Sequence, residues 1–249
     1  MAQSLAFNAD CMEAMRQFPD GFFDLAVVDP PYGDGSSQTV NVERERERPP
    51  APPYNRFGSA GSVFEKYKRS PDRECGEVVT RTGGTWASKF DKKIVEWDVA
   101  PKQEYFEELF RISRDQIIWG GNYFSLPPTR CFLIWRKTNA PEDFSMAMAE
   151  YAWTSFFSNA KVFDYSAVGQ AVRFHPTQKP PALYAWIFKN YAQPGMKIID
   201  THLGSGSSRI AAYDAGLDFW GYEIDKAYFE LQQERFEKHS AQMNLFLMD

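Results

Sequence analysis

Four consecutive residues, Asp29-Pro30-Pro31-Tyr32, set a carboxylate, two rigid turn formers and an aromatic ring directly after the apolar run Phe23 to Val28. A carboxylate and a neighbouring carbonyl can accept the hydrogens of a planar amine, and a phenol ring can stack on the base that carries it. The prolines remove backbone donors and fix φ, so the run reads as a buried strand that stops at Asp29. Ligands of open α/β sheets bind outside the carboxyl ends of strands, which puts Asp29 and Tyr32 in a crevice rather than in the core. Taken alone, the four residues are also compatible with an ordinary Pro-Pro turn and a capping acid.

A second constellation lies in MKIIDTHLGSGSSRIAAYDAGLDFWGYEID. A short apolar strand ends at Asp200, and a glycine-rich turn follows at Gly204-Ser205-Gly206. A helix from about Ser207 and a second strand closed by Glu223 complete a βαβ nucleotide-binding layout. Glu223 stands 17 residues beyond Gly206, about where such folds place an acid on a ribose diol. Arg209 occupies the position where a dinucleotide fingerprint needs glycine, and no Walker lysine follows the turn. A nucleoside is therefore expected in preference to a pyrophosphate, and ATP chemistry is disfavoured.

Together the two constellations resemble the amino-group DNA methyltransferases that use S-adenosylmethionine. In that family a D-P-P-Y motif is catalytic and an F-x-G-x-G motif binds the cofactor; here the catalytic motif comes first, like the permuted β-class order. HPTQKP, His175 to Pro180, is similar to the family motif ahead of a helix that lines the methionine end of the cofactor. The opening FNADCMEAMRQF resembles the segment in which an acid, Asp10, and its neighbour Cys11 face the cofactor's adenine. The resemblance covers roughly residues 1 to 33 and 100 to 240. One departure is that His202 stands in place of the family's leading aromatic.

The resemblance implies catalytic roles for Asp29, Pro30, Pro31 and Tyr32. It implies that the cofactor is held by Asp10, Cys11, Asp29, His175, Thr177, Gln178, Lys179, Asp200, His202, Gly204, Ser205, Gly206 and Glu223, with no metal. Within the family an acid in the first motif position usually accompanies adenine and a serine cytosine. The implied reaction is thus methylation of a flipped adenine in DNA at its 6-amino group, site-specific or relaxed in specificity. Cytosine-N4 or RNA transfer, and a non-catalytic nucleic-acid-binding module that keeps the pocket, are the alternatives.

The elements that must position these groups follow from the apolar patterning. Lys102 to Ser113 carries Tyr105, Phe106, Leu109, Phe110 and Ile112 at helical spacing, and QIIWGGNYF, CFLIWRK and AEYAWTSFF read as strands. Trp119, Trp135 and Trp153 are expected in the core, with WGGN, including Asn122, as a candidate wall of the base pocket. KAYFELQQERFEKH reads as a charged amphipathic helix, followed by a tail without a motif. The expected architecture is a Rossmann-like α/β methyltransferase fold over residues 1–249, with a mostly parallel sheet and helices on both faces.

Residues 34–98 differ in texture: NVERERERPPAPP alternates charges and then breaks into prolines, so it cannot bury a core. Aromatics such as Tyr54, Phe57 and Trp86 then interleave with cations such as Lys66, Lys68 and Arg69, which suits bases and phosphates. This insertion holds 12 Lys/Arg against 11 Asp/Glu, whereas the rest of the chain holds 16 against 22. With a net charge of −5, DNA is expected to meet the insertion and the pocket rim rather than the general surface. The connection from Phe163 to Phe174 is too short for a separate target-recognition domain, so specificity is assigned to the insertion.

The chain's 249 residues, 43% hydrophobic, suffice for one substantial core. No stretch approaches the ~18 to 20 apolar residues of a membrane span, and MAQSLAFNAD lacks a signal layout, so a cytoplasmic protein with no membrane partner is expected. Cys11, Cys75 and Cys131 form no C-x-x-C pair, which indicates neither a disulfide framework nor a zinc site. A homodimer is one assembly open to such a chain.

Overall fold

The computed structural model describes residues 2–33, 99–138, 147–166 and 173–246. The predicted insertion at 34–98 and part of the connection between Phe163 and Phe174 lie outside the described residues.

Eight strands form one sheet: β1 (Ser4–Asn8), β2 (Phe23–Val28), β3 (Ser113–Trp119), β4 (Phe132–Lys137), β5 (Ala149–Thr154), β6 (Lys161–Tyr165), β7 (Lys197–Asp200) and β8 (Asp218–Glu223). Their spatial order is β1-β8-β7-β2-β3-β5-β4-β6. Every neighbouring pair is parallel except the two that involve β5, which runs antiparallel to both β3 and β4. The helices are α1 (Cys11–Met15), α2 (Gln103–Ile112), α3 (Pro181–Tyr191), α4 (Ser207–Asp214) and α5 (Lys226–Phe246).

Alternation along β2 shows why both faces of the sheet are covered. Leu25 and Val27 pack with Leu183, Tyr184, Ile187 and Phe188 of α3 and with Ala211 and Ala212 of α4. Ala26 and Val28 point the other way, into a cluster with Tyr105, Phe106, Leu109 and Ile112 of α2. Fully burying an aliphatic or aromatic side chain of this kind contributes about 1.5–3 kcal/mol, so the period-2 strand and the helical stripe select each other. The three predicted core tryptophans are buried, Trp119 and Trp135 almost completely.

The chain leaves β2 toward β3 on one side and β7 toward β8 on the other, with α2 and α4 on opposite faces. β2 and β7 are adjacent, pairing Leu25 with Ile198 and Ala26 with Ile199. Their carboxyl ends, at Val28 and Asp200, therefore flank the topological switch point, where an open α/β sheet forms a crevice.

Three predicted boundaries shift. The strand read through QIIWGGNYF ends at Trp119, because Gly120 takes φ +68° and Gly121–Tyr123 closes a single 3-10 turn in which Tyr123 N–H donates to Gly120 O at 2.8 Å. The strand read through AEYAWTSFF ends at Thr154, after which Ser155 N–H donates to Gln116 O at 3.0 Å. The last helix continues through the expected tail to Phe246. No helix among the described residues is long and apolar enough to cross a membrane.

Candidate active site

Asp29 follows directly on β2, and both of its carboxylate oxygens are engaged. Oδ1 accepts the Tyr32 hydroxyl at 2.9 Å, and Oδ2 accepts the Lys179 ammonium. Lys179 is 4% exposed and also meets Glu150 Oε2 at 3.1 Å, while Lys137 Nζ meets Glu150 Oε1 at 2.7 Å. Burial raises Asp29 above the usual carboxylate range, against the pull of Lys179. Against its own burial, Lys179 is raised by Asp29 and Glu150 and stays an ammonium; Lys179 and Lys137 hold Glu150 down to about 2. Burial and the charge of Asp29 push the Tyr32 phenol well up, so it remains a donor.

The Tyr32 ring lies parallel to Tyr123, with centroids 4.7 Å apart and planes 11° apart, and meets Phe124 edge-on. It also packs against the backbone at Gly120, where a Cβ would overlap the ring. Glycine is thus required there twice, by its left-handed φ and by the aromatic ring against it. The WGGN segment contributes through Gly120 and the neighbouring Tyr123; Asn122 is exposed and does not line the cavity.

The glycine turn is built from within. Glu223 Oε2 accepts Gly204 N–H at 2.8 Å and Oε1 accepts Asp225 N–H at 2.9 Å. A carboxylate offers about four lone-pair sites, so each oxygen keeps acceptor capacity. Gly206 N–H donates to Leu203 O at 2.9 Å, and Gly206 caps α4. Asp200 is turned inward: its Oδ1 accepts His202 N–H at 3.0 Å and its Oδ2 the Ser208 hydroxyl at 2.5 Å. Burial pushes Asp200 up to about 7.

His202 stands edge-on to Tyr105, with centroids 5.4 Å apart and planes 70° apart; its Nδ1 is 3.0 Å from Thr201 Oγ1, which in turn is 2.6 Å from the Tyr105 hydroxyl. Burial lowers His202 to about 4, so at neutral pH it is an uncharged flat ring. His175 is likewise lowered by burial to about 4 and stands edge-on to Tyr228. Asp10 caps α1, its Oδ1 accepting Met12 N–H at 2.7 Å and Glu13 N–H at 3.1 Å. Burial holds the Cys11 thiol up at about 12, in the neutral form.

One cavity of about 790 Å³ joins the two motifs, within the size range of small-molecule sites. Every residue expected to act on the base or hold the cofactor lines it except Asp200, which sits behind the glycine turn, and Gly206, which closes that turn. Lys179 lines the cavity as expected, but its ammonium is committed to the two carboxylates. Sequence reasoning missed Glu150, Lys137, Tyr123 and Tyr105 as site residues. Glu150 carried one signal, an acid inside the apolar run of β5, and Lys137 another, a cation at the end of CFLIWRK.

The lining suits an adenosyl amino acid. Gln178 lines the cavity, and its buried Oε1 has no hydrogen-bond partner among the described residues. Glu223 offers acceptors for a diol, and the neutral rings and thiol offer apolar contact.

Residues 96–234, more than half of the chain, match the DNA methylase family of N6 and N4 methyltransferases. The chain belongs to this family. The methyltransferase is 22% identical to the Type II methyltransferase M2.MboI of Moraxella bovis over 256 residues, covering 93% of this chain and 87% of the relative. Its fold is similar to that of M1.HpyAVI in complex with SAM, with a TM-score of 0.51, 17% identity and 94% and 98% of the two chains covered. It is also similar to that of the PvuII DNA methyltransferase, which is cytosine-N4-specific, with a TM-score of 0.53, 12% identity and 98% and 92% covered. The chain is thus a DNA amino-methyltransferase of Rossmann-like fold, and S-adenosylmethionine is its methyl donor. The family match begins beyond residue 32, so Asp29 to Tyr32 join the site through the fold and not through that match.

Proposed function

We propose that the methyltransferase acts on adenine in DNA, at the exocyclic N6, with Asp29, Pro30 and Tyr32 as the groups that meet the base. The observation that carries this reading is the single cavity that contains both the D-P-P-Y residues and the glycine turn. The acid in the first position of D-P-P-Y favours adenine over cytosine, since the family resemblance pairs an acid there with adenine.

An exocyclic amine is a poor nucleophile because its lone pair is delocalised into the ring. The Asp29 carboxylate and the Pro30 carbonyl each accept one amino hydrogen, which turns the lone pair out of the ring plane. Each Asp29 oxygen already holds one donor, and a lone-pair site on Oδ1 beside the Tyr32 hydroxyl remains for an amino hydrogen. Tyr32 holds the base by stacking once it has left the duplex. At the other end, Glu223 holds the ribose hydroxyls, Asp10 and Cys11 flank the cofactor's adenine, His202 supplies a flat neutral contact, and Thr177 and Gln178 meet the methionine portion. S-adenosylmethionine supplies an already activated methyl, so the residues at the site serve binding, orientation and charge stabilisation.

The test is transfer of tritiated methyl from S-adenosylmethionine to unmethylated duplex DNA, with the labelled nucleoside identified after digestion. Label in 6-methyladenine is expected, and label in 4-methylcytosine would overturn the choice of base. Asp29→Ala should abolish transfer while the protein stays folded and still binds the cofactor; near-normal turnover would remove Asp29 from the mechanism.

A further inference from the structure

Asp29 does not end at its own ion pair. Four alternating charges run from it: Asp29, Lys179, Glu150 and Lys137, with Lys179 shared by the two carboxylates and Lys137 2.7 Å from the far oxygen of Glu150. Lys179 and Lys137 are buried, and the Lys179 ammonium lies 5.3 Å from the centre of the Trp119 ring. Glu150 and Lys137 do not line the cavity, whereas Lys179, which meets Glu150, does.

We propose that Glu150 and Lys137 are positioning residues for methyl transfer, which set how much of the Lys179 ammonium is left to Asp29. The proposal rests on the role of Asp29 given above. Paired with Lys179 alone, the Asp29 carboxylate would be largely neutralised and a weak acceptor for the amine on which positive charge develops. Glu150 draws the same ammonium from the opposite side and leaves Asp29 more of its charge; Lys137 limits that draw by compensating Glu150.

The two residues therefore act on Asp29 with opposite signs. Glu150→Gln removes a negative charge near Asp29, so the carboxyl should titrate at lower pH and accept less strongly. Lys137→Gln removes one cation from Glu150, which keeps Lys179 and the field of Arg173, so the field at Asp29 becomes more negative and the carboxyl should titrate at higher pH. Among the described residues, the other titratable groups facing Asp29 are the phenols of Tyr32, Tyr105 and Tyr184, all raised well above the ordinary value by burial, and Asp200. The phenols stay neutral over the working range. Asp200, held up at about 7, is the acid whose titration must be told apart from that of Asp29.

The experiment follows the Asp29 carboxyl by carbon-13 NMR in the ligand-free protein labelled at aspartate, with the resonance assigned by its loss in Asp29→Asn. The single-turnover methyl-transfer rate is measured over the same pH range, on unmethylated duplex DNA. The expected result is a downward move of the Asp29 midpoint in Glu150→Gln and an upward move in Lys137→Gln, each of about half a pH unit or more, with the acid limb of the rate moving in step. Glu150→Gln should also slow transfer at least about tenfold at its optimum, with cofactor affinity unchanged.

Breaking a buried pair can unfold a protein, so the Lys137→Gln/Glu150→Gln double variant is included: it removes one charge of each sign and should return the midpoint toward that of the parent. Midpoints that stay in place, or move in the same direction in both single variants, overturn the proposal; if a single variant does not fold, the same holds for the remaining single variant and the double. Transfer that survives in Asp29→Asn would instead overturn the role of Asp29 itself.

Discussion

In the proposed reaction Asp29 meets the amine through a carboxylate whose two oxygens each already hold a donor, and that arrangement makes the chemistry at this residue testable. Tyr32→Phe removes the 2.9 Å hydrogen bond on Oδ1, one of the contacts that lower the pKa of Asp29. The acid limb of methyl transfer should therefore move to higher pH, while the rate above it stays within about tenfold because the stacking ring remains. A pH profile of single-turnover rates checks this, and a limb that moves to lower pH would contradict it. Asp200 bears on stability. Its pKa is raised to about 7, so between the ordinary carboxylate value and about 7 the folded state holds more protons than the unfolded state. Its contribution is fully present at low pH and is lost as pH rises through about 7. Asp200→Asn should flatten the stability change across that window, as read by thermal melting at pH 5 and pH 8. His202 is neutral at working pH, and His202→Phe should keep cofactor affinity within a few-fold by calorimetry.

At the scale of elements, the active site depends on how β2 and β3 end. β2 stops because two prolines cannot continue the ladder, and β3 stops because Gly120 turns left-handed and brings Tyr123 over the Tyr32 ring. Gly120→Ala would combine the cost of a left-handed non-glycine residue, about 1–3 kcal/mol, with displacement of Tyr32. It should lower the melting temperature and reduce methyl transfer by at least about tenfold, with cofactor affinity largely preserved because the glycine turn lies on the other strand. Equal loss of cofactor and DNA binding would point to general unfolding instead. Much of this level was legible in the sequence. The helix over Gln103–Ile112, the βαβ unit around Gly204 and the three core tryptophans follow from periodicity and turn residues. The glycine pair of WGGN marks the end of β3, but the placement of Tyr123 over the Tyr32 ring was not legible, because it depends on packing against Tyr32 and Trp153.

At the scale of the molecule, the sheet brings Asp29 and Asp200 to adjacent strand ends although 171 positions separate them in the chain. The order β8-β7-β2-β3 places both motifs at the switch point, and one cavity follows. Charge at this scale bears on DNA. The chain carries −5 overall, and its cations are balanced best in residues 34–98, so we extend the proposal to DNA binding through that segment. Replacing Lys66, Lys68 and Arg69 with alanine should weaken binding similarly across DNA sequences and reduce the slope of log affinity against log salt by up to about 0.9 for each phosphate that is no longer neutralised. Binding measured at several salt concentrations checks this; an unchanged slope would place the phosphate-binding cations elsewhere.

By itself the sequence determined the alternation of strand and helix, the two motifs and about half of the cavity lining, because these are written in contiguous residues whose chemistry and spacing act locally. Only the tertiary structure decided which charges meet. Lys179 was read from HPTQKP as a cofactor residue, yet its ammonium lies between Asp29 and Glu150, and Glu150 is held in turn by Lys137. These four come from the end of β2, the segment ahead of α3, and the adjacent strands β5 and β4. An ion pair is selected by distance and burial in three dimensions, and no local pattern in the chain encodes either.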